Sequence, residues 1–299
     1  MKKYFLLTSI LSVFLIISCN QKPLVSVAKK DRKLIEYVNP FIGTGGHGHT
    51  YPGATMPFGM MQLSPDTRLD GWDGCSGYHY SDSEIYGFSH THLSGTGVSD
   101  YGDILLMPTN KVVFNNGADG KEGYKSAFSH DKEVAEPGYY KVHLDDTNIN
   151  VELTVSERSG MHKYEFPSKE NQVVILDLLH RDKVLKAKIN KISDTELSGY
   201  RFSQAWATDQ RLFFTIKTSH PFNDILQSPP KKGMAGAQKI ALTFINPNNE
   251  PVFIKIGISA VDIEGAKKNL EQEIGNKSFE EIKTLAQNKW EQQLEKIVL

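Results

Sequence analysis

Short segments in which apolar and polar residues alternate dominate the second half of the chain. They are rich in β-branched residues, are separated by turn residues at intervals of about ten residues, and show no helical periodicity between them. This pattern predicts antiparallel strands packed as a β-sandwich. The predicted strands are Tyr139–Leu144, Ile149–Ser156, Met161–Phe166, Gln172–Leu179, Leu185–Ile192, Glu196–Phe202, Arg211–Ser219, Lys239–Ile245 and Val252–Ala260. Earlier in the chain, Asn116-Gly117 predicts a β-hairpin.

Two helices are predicted after the last strand. Asp262 can cap the first, and Gly275-Asn276 would end it. Ser278 and Glu281 form a capping box for the second. The apolar positions of the first helix are Ile263, Ala266, Leu270 and Ile274, and those of the second are Ile282, Ala286, Trp290, Leu294 and Ile297. We expect the stripe on the second helix to need a partner that this sequence does not encode, and the chain to be truncated at Leu299.

The first residues read as a targeting segment. Lys2 and Lys3 precede an apolar run, Tyr4–Ile17, that is short for a membrane span and favours a secretory signal. The run ends in Ile16-Ile17-Ser18-Cys19, which has the pattern of a bacterial lipobox, so Cys19 is predicted to carry lipid. The alternative is an ordinary cleaved signal with an incidental cysteine. Residues 1–19 are thus the predicted signal and residues 20–34 a polar tether.

Composition narrows the choice of partners and of covalent links. The 299 residues carry 34 Lys plus Arg against 35 Asp plus Glu, so a formal charge of −1 gives no global field that would attract nucleic acid. The second cysteine is Cys75. If Cys19 carries lipid, Cys75 has no partner for an intrachain disulfide.

Residues 36–108 are dense in glycine, aromatic residues and histidine, and we expect loops and short strands there. Gly43, Gly45 and Gly48 match the spacing of a dinucleotide fingerprint, but Pro52 and Pro57 exclude the helix that this fold needs. Five histidines fall in this segment: His47, His49, His79, His90 and His92. The two His-x-His pairs among them could ligate a metal, as in a metal-dependent hydrolase. Hydrogen bonding within packed loops is the favoured interpretation.

A loop around Trp72 has the chemistry of a sugar site. An aromatic ring can cover the apolar face of a pyranose while a carboxylate and a guanidinium bind its hydroxyls. Trp72, Asp73 and Arg68 supply these groups between glycine turns. The alternative is that Trp72 is a core residue, the common fate of a lone tryptophan.

A long stretch of motifs resembles the N-terminal domain of glycoside hydrolase family 92. The motifs are Tyr37-Val38-Asn39-Pro40-Phe41-Ile42-Gly43-Thr44, Pro52-Gly53-Ala54, Pro57-Phe58-Gly59-Met60, Gln62-Leu63-Ser64-Pro65-Asp66-Thr67, Gly71-Trp72-Asp73-Gly74-Cys75-Ser76-Gly77-Tyr78, Gly87-Phe88-Ser89-His90-Thr91-His92-Leu93-Ser94-Gly95 and Asp100-Tyr101-Gly102-Asp103-Ile104. The resemblance is strongest over residues 37–108.

The resemblance implies a fold and an activity. The fold is mainly β: an antiparallel β-sandwich (supersandwich, galactose-mutarotase-like) over residues 35–260, followed by two linker α-helices over residues 261–299 and then an (α/α)6 barrel. The implied activity is that of exo-acting, calcium-dependent, inverting α-mannosidases acting on glycoprotein N-glycans or mannan. The catalytic acid, the base and most calcium ligands belong to the barrel, so the resemblance assigns no catalytic or metal-binding residue here.

The sandwich is expected to supply one wall of a mannose site that lies between the domains. The residues assigned to this wall are Trp72, Asp73, Arg68, Gly45, Gly46 and His47. The chain alone is expected to be inactive, and to work with the barrel as part of a lipid-anchored envelope protein. The alternative is a non-catalytic surface lipoprotein that binds carbohydrate through the same loop.

Overall fold

The computed structural model describes residues 32–297. The predicted signal, the lipidation site at Cys19 and most of the tether lie outside the described residues and stay predictions. No helix among residues 32–297 combines the length and the apolar character needed to cross a bilayer.

Two large antiparallel sheets form the body of the fold. The first has seven strands in the order β1, β2, β4, β5, β11, β16 and β15. Its strands are β1 (Ala54–Thr55), β2 (Gln62–Asp66), β4 (Gly87–Ser89), β5 (Leu105–Thr109), β11 (Val173–Asp177), β15 (Phe222–Gln227) and β16 (Lys239–Phe244). One interior strand, β11, reads Val-Val-Ile-Leu-Asp and is buried throughout, as expected for a strand covered on both faces.

The second sheet has eight strands in the order β12, β13, β14, β17, β10, β9, β8 and β7. Its strands are β7 (Glu133–Glu136), β8 (Tyr139–Leu144), β9 (Ile149–Val155), β10 (Ser159–Glu165), β12 (Lys183–Lys191), β13 (Glu196–Gln204), β14 (Gln210–Thr218) and β17 (Val252–Ser259). A small third sheet pairs β3 (Glu84–Ile85) with β6 (Ser126–Ala127). Buried apolar residues of both large sheets form one core cluster, and the prediction of a mainly β sandwich is confirmed.

Two helices pack on the eight-stranded sheet after its last strand. α1 (Ile263–Glu273) begins at Asp262, whose side chain accepts a hydrogen bond from the Gly265 amide. It lies so close to β17 that a Cβ on Gly257 would stand 2.3 Å from the Ala266 carbonyl oxygen. α2 (Phe279–Leu294) begins with the predicted capping box of Ser278 and Glu281.

The apolar stripe on α2 finds part of its partner within this chain, which corrects the expectation above. Ile282 and Ala286 are buried, and the Trp290 indole donates a 2.7 Å hydrogen bond to the Thr55 carbonyl. Helical spacing showed that one face had to be covered, but it could not show that the cover is the sandwich surface that precedes the helix. Ile297 at the far end is 78% exposed.

The hairpin predicted at Asn116-Gly117 is wrong. The Asn116 side chain accepts a hydrogen bond from the Ala118 amide, and Gly117 has φ 88°, so the turn itself forms. The strands on either side pair elsewhere: β5 pairs with β4 and β11, and β6 with β3. Turn chemistry is local, and residues 118–123 carry no alternating apolar residues that could extend it into a paired strand.

Candidate functional site

Trp72 lies on the surface, at the start of a short 3₁₀ turn, Trp72–Gly74. Gly71 before the turn has φ 85°, a conformation that glycine adopts without strain. The indole is 62% exposed, which excludes the core interpretation. One side of the ring lies against Gly97, where an added Cβ would stand 2.2 Å from the Trp72 Cη2 atom. The ring of His49 approaches it edge-on, with the ring centroids 4.9 Å apart. The indole is therefore held in place while much of its surface remains accessible.

Asp73 brings the first His-x-His pair together. The His47 ring donates a 3.0 Å hydrogen bond from Nδ1 to Asp73 Oδ1, and His49 Nε2 lies 3.8 Å from the same oxygen. The hydrogen bond from His47 is the main cause that lowers the pKa of Asp73 from its ordinary value. His47 is exposed, whereas the Nε2 atom of His49 is buried and makes no hydrogen bond. The result is an ionised carboxylate beside an exposed indole.

Backbone and side-chain hydrogen bonds hold the Gly45–His47 turn in place. The Gly48 amide donates to the Gly45 carbonyl at 3.0 Å, and His79 donates from Nε2 to the Gly46 carbonyl at 3.0 Å. Gly48 passes so close to Gly43 that an added Cβ would stand 2.0 Å from its carbonyl oxygen. No α-helix follows this turn before residue 60, which agrees with the exclusion of a dinucleotide site.

Arg68 is tied to a carboxylate other than Asp73. Its guanidinium donates to both oxygens of Asp82, at 2.5 and 3.2 Å, and to Ser81. Its aliphatic stem packs over Gly74, where a Cβ would stand 2.7 Å from the Arg68 Cδ atom. Within the described part of the chain, the guanidinium makes no hydrogen bond to Trp72 or Asp73. Arg68 thus supports the turn from one side, with its guanidinium already bound.

The second His-x-His pair points in two directions. His90 donates to the Ile104 carbonyl and meets Nε2 of His162 at 2.9 Å. His92 binds the Gln62 carbonyl at 2.7 Å and Asp66 at 3.2 Å. Residues 32–297 contain no group of three or more His, Cys, Asp or Glu side chains arranged as metal ligands.

Burial and charge act in opposite directions on the pKa of Asp66. Burial alone would raise this pKa, but the neighbouring His92 and His180 rings more than offset that effect and hold the pKa below its usual range. The carboxylate therefore stays ionised inside the protein. It also accepts a hydrogen bond from the Ser89 amide at 3.1 Å, which joins β2 to β4. These contacts make Asp66 and His92 part of the packed support beneath the loops.

Sequence reasoning missed the residues that hold the Trp72 turn from behind. Arg181 donates to the Gly74 carbonyl at 3.1 Å and to Ser99 at 2.8 Å. The next residue, Asp182, is partly buried, and burial together with the charges of Asp100 and Asp103 raises its pKa to about 6. No local motif marks these residues, because they approach the turn only through the packing of the two sheets.

The match to known proteins covers most of the chain. The model of the glycosyl hydrolase family 92 N-terminal domain matches residues 37–259. The chain belongs to glycosyl hydrolase family 92.

Two α-mannosidases of known structure resemble this chain in both fold and sequence. A family 92 α-mannosidase from Bacteroides thetaiotaomicron, solved in complex with mannoimidazole, is 33% identical over 90% of this chain, with a TM-score of 0.80. A family 92 inverting mannosidase from the same organism is 25% identical over 89% of this chain, with a TM-score of 0.75.

A curated relative comes from a fungus. An uncharacterized secreted glycosidase of Arthroderma benhamiae is 27% identical over 89% of this chain. The chain spans 39% of that protein and 38% of the α-mannosidase solved with mannoimidazole. The match therefore identifies a family 92 N-terminal domain.

Proposed function

We propose that this chain forms one wall of the mannose site of an exo-acting, calcium-dependent, inverting α-mannosidase that acts on N-glycans or mannan. The observation that carries the proposal is the exposed Trp72 indole, fixed beside the ionised Asp73 carboxylate. The relative that was solved with mannoimidazole supports mannose as the sugar.

The residues of this chain bind and orient the sugar in this proposal. The free surface of Trp72 covers the apolar face of a pyranose ring, and Asp73 accepts hydrogen bonds from its hydroxyls. His47, which already donates to Asp73, orients that carboxylate. Arg68 holds the turn through Asp82, and the Gly45–Gly46 backbone borders the site. Excluding water from one side of the sugar is the further contribution of the indole.

The chemistry itself is assigned to the barrel. An inverting glycosidase needs one carboxylic acid to protonate the leaving oxygen and one carboxylate to activate water. Calcium, where the family enzyme binds it, would supply a cation for sugar hydroxyls. The family resemblance implies that most of its ligands belong to the barrel. The chain alone is expected to have no turnover.

Export and lipid anchoring belong to the same proposal. The fungal relative is described as secreted, which supports export of this chain. Lipid on Cys19 would hold the protein at a membrane of the cell envelope. Metabolic labelling with an alkyne fatty acid should mark the parent and not Cys19→Ser, and equal labelling of both would contradict the anchor.

Titration with α-mannobiose tests the sugar-binding wall. If sugar covers about a third of the ~200 Å² of the indole, at ~25 cal/mol per Å² the contact is worth about 1.5 kcal/mol, or about tenfold in Kd. Isothermal titration of Trp72→Ala should show this loss, whereas Ile192→Ala, which shortens another exposed apolar side chain, should bind like the parent. Equal affinity of Trp72→Ala and the parent would exclude this loop as the sugar site.

The alternative, a non-catalytic surface lipoprotein, uses the same loop for binding alone. The DNA that follows the Leu299 codon distinguishes the two. A continuing frame that resembles an (α/α)6 barrel supports the mannosidase, whereas a stop codon followed by an unrelated gene supports the binding protein. Hydrolysis of α-mannobiose by the purified chain would contradict the assignment of acid and base to the barrel.

A further inference from the structure

A second tryptophan is exposed at the tip of a hairpin. β13 and β14 pair in register up to Ser203 and Gln210, and the loop between them carries Trp206. Its side chain is 76% exposed, more than that of Trp72. Isolated exposed apolar residues are common and need no explanation on their own. What sets Trp206 apart is how its loop is held and what lies beside it.

The hairpin tip is anchored to the loop at residues 95–103. The amide of Ala207, next to Trp206, donates a 2.8 Å hydrogen bond to Asp100 Oδ2. Gln210 donates a 2.6 Å hydrogen bond to Asp103, which is also paired with the fully buried Arg201 of β13. One bond thus ties the middle of the loop to Asp100, and the other ties its far end to the buried Arg201–Asp103 pair. The exposed indole therefore stands on a fixed backbone.

The same loop supports Trp72. The Trp72 ring lies on Gly97, and Gly97 is three residues from Asp100, so the Cα atoms of the two supporting residues are at most about 11 Å apart. The two exposed indoles therefore flank one short segment. Two exposed aromatic rings supported by one segment offer two surfaces on which sugar rings can stack.

A polar group lies in the segment that joins the two supports. Ser99, between Gly97 and Asp100, donates to Asp182 Oδ1 at 3.4 Å, and Asp182 Oδ2 has no hydrogen-bond partner within the described chain. The following residue, Lys183, pairs in register with Gln204 at the base of the Trp206 loop. Asp182 and Lys183 therefore link the segment under Trp72 to the base of the Trp206 loop.

We propose that Trp206 is a second sugar-stacking residue of the same site, so that the site takes an α-mannooligosaccharide rather than a single mannose. Trp72 covers one ring and Trp206 covers a neighbouring ring on the same chain of sugars. The inference rests on the proposed function, because it extends the wall built on Trp72. The competing explanation is that an (α/α)6 domain covers Trp206. That explanation predicts no response of Trp206 to sugar in this chain.

The three tryptophans of the chain provide the readout. In ¹H–¹⁵N spectra, methyl α-mannoside should shift the indole N–H signal of Trp72 only, and α-mannotriose should shift those of Trp72 and Trp206. The signal of Trp290, whose N–H is bonded to Thr55, should stay in place with both sugars. Single Trp→Phe variants assign the signals.

Affinities of variants complete the test. Trp206→Ala should weaken α-mannotriose binding about tenfold and leave methyl α-mannoside binding unchanged, while Trp206→Phe, which keeps a ring, should lose less. Ile192→Ala, at the turn beyond the opposite end of β13, is the matched control. Parent-like binding of α-mannotriose by Trp206→Ala, with Trp72 still responding, overturns this inference and leaves the proposed function intact. No response of Trp72 to either sugar overturns the proposed function and this inference with it.

Discussion

Two buried imidazoles link the two sheets and make the stability of the fold depend on pH. His90 Nδ1 donates to the Ile104 carbonyl, so its Nε2 is free to accept a hydrogen bond from Nε2 of His162 at 2.9 Å. His162 Nδ1 in turn accepts from the Tyr164 hydroxyl at 2.8 Å. Every ring nitrogen is used, with both rings neutral. Protonation of His90 at Nε2 would place its N–H directly opposite the N–H of His162, and neither could then donate to the other.

The pKa of His90 sets how much the free energy of unfolding falls at low pH. Burial lowers this pKa from 6.5 to about 4 and also lowers that of His162. Between these two pH values the unfolded chain binds a proton at His90 that the folded chain does not, so the free energy of unfolding falls as pH falls. At 1.36 kcal/mol per pKa unit, His90 alone should cost about 3 kcal/mol by pH 4. His162 acts in the same direction.

Urea denaturation at a series of pH values from 7.5 to about 4.5 measures this loss in the free energy of unfolding. The double variant His90→Leu/His162→Leu should be less stable at neutral pH, because the Ile104 carbonyl and the Tyr164 hydroxyl lose their partners at about 1–3 kcal/mol each. Its stability should nevertheless depend less on pH in this window. An NMR titration in which either ring protonates near pH 6.5 in the folded protein would refute the reasoning. Loss of the Asp66 charge acts at lower pH, because its pKa is depressed.

Three further predictions concern packing, a buried ion pair and the N-terminal segment. Gly138→Ala should cost about 2–3 kcal/mol, because Gly138 has φ 78° and an added Cβ would stand 2.6 Å from the Cβ of Ala286, whereas Gly120→Ala, at φ 77° in open space, should cost about 1 kcal/mol. Arg201→Met should lower the free energy of unfolding by about 3–5 kcal/mol in urea, because it leaves the Asp103 carboxylate buried without its partner. Glu291→Ala should speed hydrogen exchange at the amides of residues 34 and 35, which donate to its carboxylate at 2.7 and 2.8 Å, and leave β11 protected.

Specific results would contradict these predictions. Equal losses in the two glycine variants would mean that the close approach of Gly138 to α2 is absent. An Arg201→Met variant as stable as the parent would mean that the Arg201–Asp103 pair contributes no net stabilisation. Unchanged exchange at residues 34 and 35 would show that the N-terminal segment is held by contacts other than Glu291.

The strands after residue 139 could be predicted because each carries its own run of alternating or β-branched apolar residues. Tyr139–Leu144 begins and ends as predicted, and the others differ by one or two residues at their ends. β15 (Phe222–Gln227) was missed because this edge strand is mostly exposed and carries no alternating pattern. The order of the strands could not be predicted, since β11 pairs with β5 and β16, which lie far from it in sequence.

The sequence indicated the loop that we propose to bind sugar, but not the residues that hold it in place. Trp72 and its flanking glycines form a local pattern, so one segment was enough to identify the loop. The support comes from contacts between residues 107 apart, Arg181 with Gly74 and Ala207 with Asp100, and no local pattern records them. The sequence also could not predict which carboxylate Arg68 binds. Asp73 and Asp82 are both near it in sequence, and only the geometry of the turn selects Asp82. The exposed surface of this site is thus encoded locally, whereas its rigidity arises from the packing of the two sheets. Substitutions behind the loop should therefore alter sugar binding without touching the sugar.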